Sequence, residues 1–234
     1  MARYFFNPLS VFLLIFLILF LILLIPFMFL GIIGGALYKL GFGLWQIIFL
    51  VFAMIIGSFI NLPVTRIKSN PQFVRVPHGY LTDRLYRAPE FSTDTTIALN
   101  VGGCIIPVIV SGYLLFQAFS ISEWENIIIS VFIGIIIVSA VTKLTAKPVA
   151  GVGIATPIFI PPLCALLCGL LLSGGISLAA PVIAYISGTI GTLIGADILN
   201  LKKMGELNTS VASIGGAGTF DGVFLAGIIA AFLA

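Results

Sequence analysis

Residues 11–30 read VFLLIFLILFLILLIPFMFL, a run without a charge or a hydrogen-bonding side chain. Crossing the hydrocarbon of a bilayer takes roughly 20 residues of helix, and this run supplies them. A barrel strand needs apolar and polar positions to alternate, and here nothing alternates. The apolar stretch also exceeds the roughly 7 to 15 residues of a secretory signal. The run is therefore read as an anchoring transmembrane helix.

The rest of the chain follows suit. Of its 234 residues, 60% are hydrophobic and 8% are charged, against about 25% charged in ordinary soluble domains. Mean hydropathy is +1.25. Seven apolar runs can be drawn, at about 9–30, 42–62, 97–119, 126–142, 150–172, 176–196 and 210–233. Only SGG (173–175) separates the fifth from the sixth, which predicts a tight helical hairpin. The expected class is all-α and polytopic, with about seven spans, several of them broken by Gly and Pro. Residues 1–63 form a two-helix scaffold, 64–95 a polar loop and 96–234 a five-helix core.

Charge placement orients the chain. Arg66, Lys68, Arg75, Arg84 and Arg87 follow the second run, Lys143 and Lys147 the fourth, and Lys202 and Lys203 the sixth. With seven spans these loops share one side with Arg3, and the other side has Lys39 alone. The lysine and arginine bias places the amino terminus in the cytoplasm and the carboxyl terminus outside. Topology thus accounts for the basic residues, and the net charge of +3 carries no nucleic-acid signal. Cys104, Cys164 and Cys168 all lie in apolar runs, where cysteine is usually a small buried hydrophobe.

The first two runs contain almost nothing polar before Ser58 and Asn61, as expected of scaffold facing lipid. Their connection, GIIGGALYKLGFG (31–43), is rich in glycine. The polar loop holds QFVRV (72–76), which alternates as a short strand would. It also holds His78, the one histidine, with Asp83, Glu90 and Asp94. Their spacing fits no metal-ligand template, so no metal is expected.

From Asn100 onward the character changes. NVGGCIIPVIVSG (100–112), GVGIATPIFIPPLCALLCG (151–169), YISGTIGTLIGAD (185–197) and SIGGAGTFDG (213–222) are crowded with small residues. Small residues let transmembrane backbones approach closely, so these four segments form the expected packed interior. Pro107, Pro157, Pro161 and Pro162 would bend or break their helices, giving either kinked packing helices or a cavity lined by broken ones. The first and last of these segments are loosely alike around a double glycine, as a parallel duplication would leave them.

Two carboxylates stand out, Asp197 and Asp221. An ionisable group inside a span is costly and marks function by default. A straight seventh helix starting near Ser210 would carry Asp221 about 16 Å deep, away from Asp197 at the cytoplasmic end of the sixth. However, each Gly costs a helix up to about 1 kcal/mol relative to Ala, so IGGAGTF is poorly suited to helix. If it loops instead, Asp221 stands near the start of a final helix and within reach of Asp197. Two carboxylates in one low-dielectric pocket share a proton, which supplies an acid and a base for water attack on a carbonyl. The alternative leaves Asp197 interfacial and Asp221 alone on an ion, a headgroup or a helix terminus.

In order and sidedness these aspartates resemble the intramembrane aspartyl proteases: presenilin, signal peptide peptidase and, more distantly, prepilin peptidase. The likeness covers at most residues 176–227. The family's GxGD stands here as GAGTFD (216–221), with two residues inserted before the acid. Tyr185 precedes Asp197 by 12 residues rather than adjoining it, and the Pro-Ala-Leu signature has no counterpart. The resemblance implies catalysis by Asp197 and Asp221 without a covalent intermediate, metal or organic cofactor. It also implies a transmembrane peptide substrate beside Gly216 and Gly218, oriented by Asn61 and Asn100, although both asparagines are equally explained as helix-end caps. The lack of HExxH disfavours a zinc protease. The overall sequence also resembles an uncharacterised family of prokaryotic multi-pass membrane proteins, which implies seven helices and no activity. An ion- or proton-coupled transporter using Asp221 and broken helices, and a non-enzymatic assembly or lipid-binding protein, stay open. Membrane lipid is the expected partner in every case.

Overall fold

The computed structural model describes residues 8–68, 94–120, 124–149, 153–176, 179–204, 210–216 and 222–234. Helix α1 (Pro8–Lys39) leads into α2 (Leu44–Gly57), and strands β1 (Asn61–Lys68) and β2 (Asp94–Asn100) follow. A π-helical turn (Val101–Ile105) then opens α3 (Ile106–Ala118), which precedes α4 (Trp124–Thr145) and the short strands β3 (Lys147–Val149) and β4 (Gly153–Ala155). Next come α5 (Ile160–Leu172) and α6 (Ala179–Thr192). The latter continues through a second π turn (Leu193–Asp197) and a 3-10 turn (Ile198–Asn200) into α7 (Leu201–Met204). Strand β5 (Val211–Ile214) and helix α8 (Gly222–Leu233) complete the described chain.

Helical bodies thus stand in all seven apolar runs, and the protein is an integral membrane protein. Four of them are long and apolar enough to cross a bilayer: Leu9–Lys39, Val101–Ala118, Glu125–Thr145 and Ala179–Met204. The other three, Leu44–Gly57, Ile160–Leu172 and Gly222–Leu233, are shorter because part of each run is spent on extended chain. The expectation of seven full spans reduces to several. The all-α class describes the membrane-spanning part, to which two small sheets are added among the described residues, β1–β2–β5 and the β3–β4 pair.

Prolines explain one of the shortened helices. Pro161 and Pro162 lie in the first turn of α5, whereas Pro107 comes just after the π turn within the continuous helix Val101–Ala118. In a first turn the missing N–H is unneeded, so Pro161 and Pro162 start a helix rather than bend one. Pro26 lies within the body of α1.

β2 is the middle strand of a three-stranded sheet, antiparallel to β1 and parallel to β5. Asn61 pairs with Asn100, and Leu99 with Ile214. Pro63 sits on the β1 edge, next to a register shift, where its absent donor does no harm. The predicted QFVRV strand, His78, Asp83 and Glu90 lie outside the described residues, while Asp94 opens β2. The parallel strands β2 and β5 each run into a double glycine, and there the two chains touch. A Cβ on Gly103 would strike the Gly215 carbonyl, and one on Gly215, whose φ is +80°, would meet Cys104 Cβ at 2.6 Å.

α6 is the central helix, buried along nearly its whole length. Its small residues admit three neighbours. Gly169 of α5 fits against Ala184, Gly191 against Val138 of α4, and Gly188 against Ala226 of α8. The contacts of Gly134 with Ser187 and of Gly195 with Thr142 make α4 and α6 parallel, and α8 runs antiparallel to both. Lys143, Lys202 and Lys203 therefore lie at the end of the bundle that holds Asp197. At the other end Lys39 Nζ donates to the Phe232 carbonyl at 2.7 Å and stands over the Phe232 ring. Residues 9–30 of α1 are almost wholly exposed apolar surface, as expected of a helix facing lipid.

Gly103→Ala should lower the unfolding midpoint in detergent sharply, because its methyl group has only backbone to displace. Gly112→Ala, with nothing within 4 Å, should leave the midpoint unchanged or slightly raised. Equal midpoints for the two variants would contradict this packing.

Candidate functional site

Asp197 is the last residue of the second π turn and is 6% exposed. Its Oδ2 accepts the Gly215 N–H at 2.8 Å, which ties the end of α6 to the turn after β5. Gly215 and Gly216 both have positive φ, +80° and +86°, which L side chains rarely adopt. The carboxylate therefore holds the glycine-rich entry to the last helix by its backbone. Single π turns recur at functional sites because they displace a side chain from its regular place.

Leaving the α-helical pattern frees carbonyls, which are costly inside a membrane. Asn200 answers for two of them, its Nδ2 donating to the Gly195 and Ala196 carbonyls at 3.0 Å each. Ser139 Oγ crosses from α4 to the Gly191 carbonyl at 3.0 Å.

Asn100 does the same work at the other π turn. Its Oδ1 accepts the Gly103 N–H at 2.7 Å, and its Nδ2 donates to the Ser58 carbonyl at 2.7 Å and to Asn61 Oδ1 at 3.1 Å. It is fully buried with both ends of its amide engaged, the arrangement of a cap. Asn61 is exposed, and its Oδ1 also accepts the Ser213 hydroxyl at 2.7 Å. Asn61, Asn100 and Ser213 thus clasp the three strands where they meet the glycines.

Of the residues singled out in the sequence, Asp197, Gly216, Asn61 and Asn100 gather around this one junction. Gly218 and Asp221 lie outside the described residues. Their neighbour Gly222 opens α8, close to Thr156 Oγ1. The antiparallel packing of α8 on α6 puts this helix start level with the first π turn residues: Val223 and Leu193 share a cluster with Ile97, Cys104 and Ile214. Among the described residues no group of His, Cys, Asp or Glu could hold a metal ion. Sequence reasoning missed Asn200 and Ser213. Asn200 had a signal, an amide three residues beyond a buried carboxylate at a helix end.

Asn200→Asp keeps the shape and loses the donor, so two carbonyls are stranded. The expected cost is about 1–3 kcal/mol of stability, read by denaturant unfolding in detergent. Asp197→Asn keeps an acceptor for the Gly215 N–H and should retain the fold. A stable Asn200→Asp protein beside an unfolded Asp197→Asn protein would overturn both assignments.

No curated protein and no solved structure matches the chain. The profile of a family described as "Protein of unknown function (DUF1614)" matches residues 55–233, from the end of α2 through α8 and including every described residue of the junction around Asp197. The chain belongs to that family.

Proposed function

We propose that this protein is an intramembrane aspartyl protease in which Asp197 and Asp221 hydrolyse a transmembrane peptide. The observation that carries the reading is the bond from the Gly215 N–H to Asp197. It fastens a buried carboxylate to the very segment that leads into Asp221. The last helix starting at Gly222, after a strand and two glycines of positive φ, adds to it. A looped entry of this kind is what the pairing of the two acids requires.

In the proposed reaction one carboxylate takes a proton from water while the other, protonated, donates to the peptide carbonyl oxygen. Water adds to the carbonyl carbon to give a gem-diol. Breaking the C–N bond then requires a proton on the leaving nitrogen, returned by the pair. No acyl-enzyme forms. The grouping of basic residues at the Asp197 end supports cleavage near the cytoplasmic face. Gly216, Gly218 and the exposed Asn61 amide are the proposed contacts for an unwound substrate.

The test uses the purified chain in liposomes with fluorogenic transmembrane peptides, products being identified by mass spectrometry. Asp197→Asn and Asp221→Asn should each abolish cleavage, a loss of at least about 10³-fold, while both proteins remain folded. Cleavage that survives either substitution would sink the proposal. Ion flux lost on Asp221→Asn alone, with no cleavage by the unaltered protein, would replace it with transport.

A further inference from the structure

Four hydroxyls in the bundle interior are buried without a hydrogen-bond partner among the described residues: Tyr185, Thr189 and Thr192 of α6 and Thr142 of α4. Each of these residues is 1% exposed or less. Elsewhere in the same bundle, hydroxyls take the usual route of a Ser or Thr in a helix and bond a carbonyl one turn back. Ser111 reaches the Pro107 carbonyl at 2.8 Å, Thr145 that of Val141 at 2.9 Å and Ser187 that of Ile183 at 2.6 Å. The four unpartnered groups forgo that bond.

Three of them form a line. Tyr185, Thr189 and Thr192 stand at i, i+4 and i+7, one face of a helix. In an unbroken α-helix Asp197, at i+12, would point about 120° away from that face. The π turn at Leu193–Asp197 absorbs one residue more than an α turn. Asp197 thereby takes the angular place of i+11 and returns to the line. Thr142 adds a fourth hydroxyl from α4, packed against Gly195 two residues before the carboxylate.

Buried hydroxyls in native proteins are bonded in the great majority of cases, to protein or to ordered water. A single cation does not fit, because its ligands must converge to about 2.3–2.6 Å, whereas these residues spread over about 10 Å of helix. Water does. A buried water takes two to four polar partners, which hydroxyls on neighbouring turns and the free lone pairs of helix carbonyls supply.

We propose that Tyr185, Thr189, Thr192 and Thr142 hold a file of buried water that runs along α6 and ends at Asp197. Thr189 Oγ1 lies directly against Gly227 of α8, while Thr142 comes to α6 from α4, so the file borders both helix contacts. It brings water and exchangeable protons to the carboxylate from within the bundle. It requires no peptide to be cleaved.

Hydroxyl-radical footprinting of the full chain in liposomes, read by mass spectrometry, tests this, because radicals formed from bound water label the side chains beside it. Tyr185 should oxidise several-fold faster than Phe224, an aromatic residue of comparable burial on α8. Thr192→Val should reduce Tyr185 labelling several-fold and lower the unfolding midpoint, whereas Thr145→Val should leave the labelling as it was. Tyr185 as protected as Phe224 in the unaltered protein overturns the proposal. So does a Thr192→Val protein that melts higher than the parent, the result expected if the hydroxyl is dry.

Discussion

Inside hydrocarbon, a peptide group that leaves a helix has to be met by another group of the same protein. The whole of the sheet end of this molecule follows from that requirement. The chain abandons α-helix around residues 100 and 197 and before residue 222, and at each of the first two places a side chain meets the cost. Asn100 takes the Gly103 N–H, Asn200 takes the Gly195 and Ala196 carbonyls, and Asp197 takes the Gly215 N–H. Remove these and the helix ends beside the strands would hold unmet peptide groups. Asp197 differs from the other two in kind. It is an acid where they are amides, and a carboxylate accepts a backbone N–H more strongly than an amide oxygen does.

Much of the membrane architecture was legible in the sequence. Continuous apolar runs have one reading in a bilayer, and every run contains a helix. The break ahead of the last helix was legible too, because IGGAGTF carries its own penalty against helix. The sheet was not. Leu62, Ile97, Leu99 and Ile214 suit a strand and a transmembrane helix equally, and only pairing between distant segments decides between them. The prolines misled for a similar reason. A proline reads as a break until the start of its helix is known, and Pro161 and Pro162 stand at such a start. Of the candidate site, the two aspartates were visible because charge in a span is rare. The hydroxyl line was hidden, since its meaning depends on a π turn that no residue type announces.

Small residues and polar clasps divide the work. Glycines at 188, 191 and 195 bring α8 and α4 close to α6. That closeness packs α4 and α8 against α6 directly beside the π turn that ends at Asp197. A carboxylate so placed is costly to keep and strongly influenced by anything polar that enters.

The first helix carries a different kind of information. Its 32 residues extend about 48 Å, well beyond a hydrocarbon layer of about 30 Å, and nearly all of that length is apolar. It has to lean, and a thinner bilayer requires a greater lean. Its last turn is fastened to α8 by the bond from Lys39 to the Phe232 carbonyl, so that turn stays beside the carboxyl-terminal end of α8 while the rest leans. The angle that a given bilayer imposes on α1 is therefore taken up on the amino-terminal side of that contact, in residues that lie before the family's shared region.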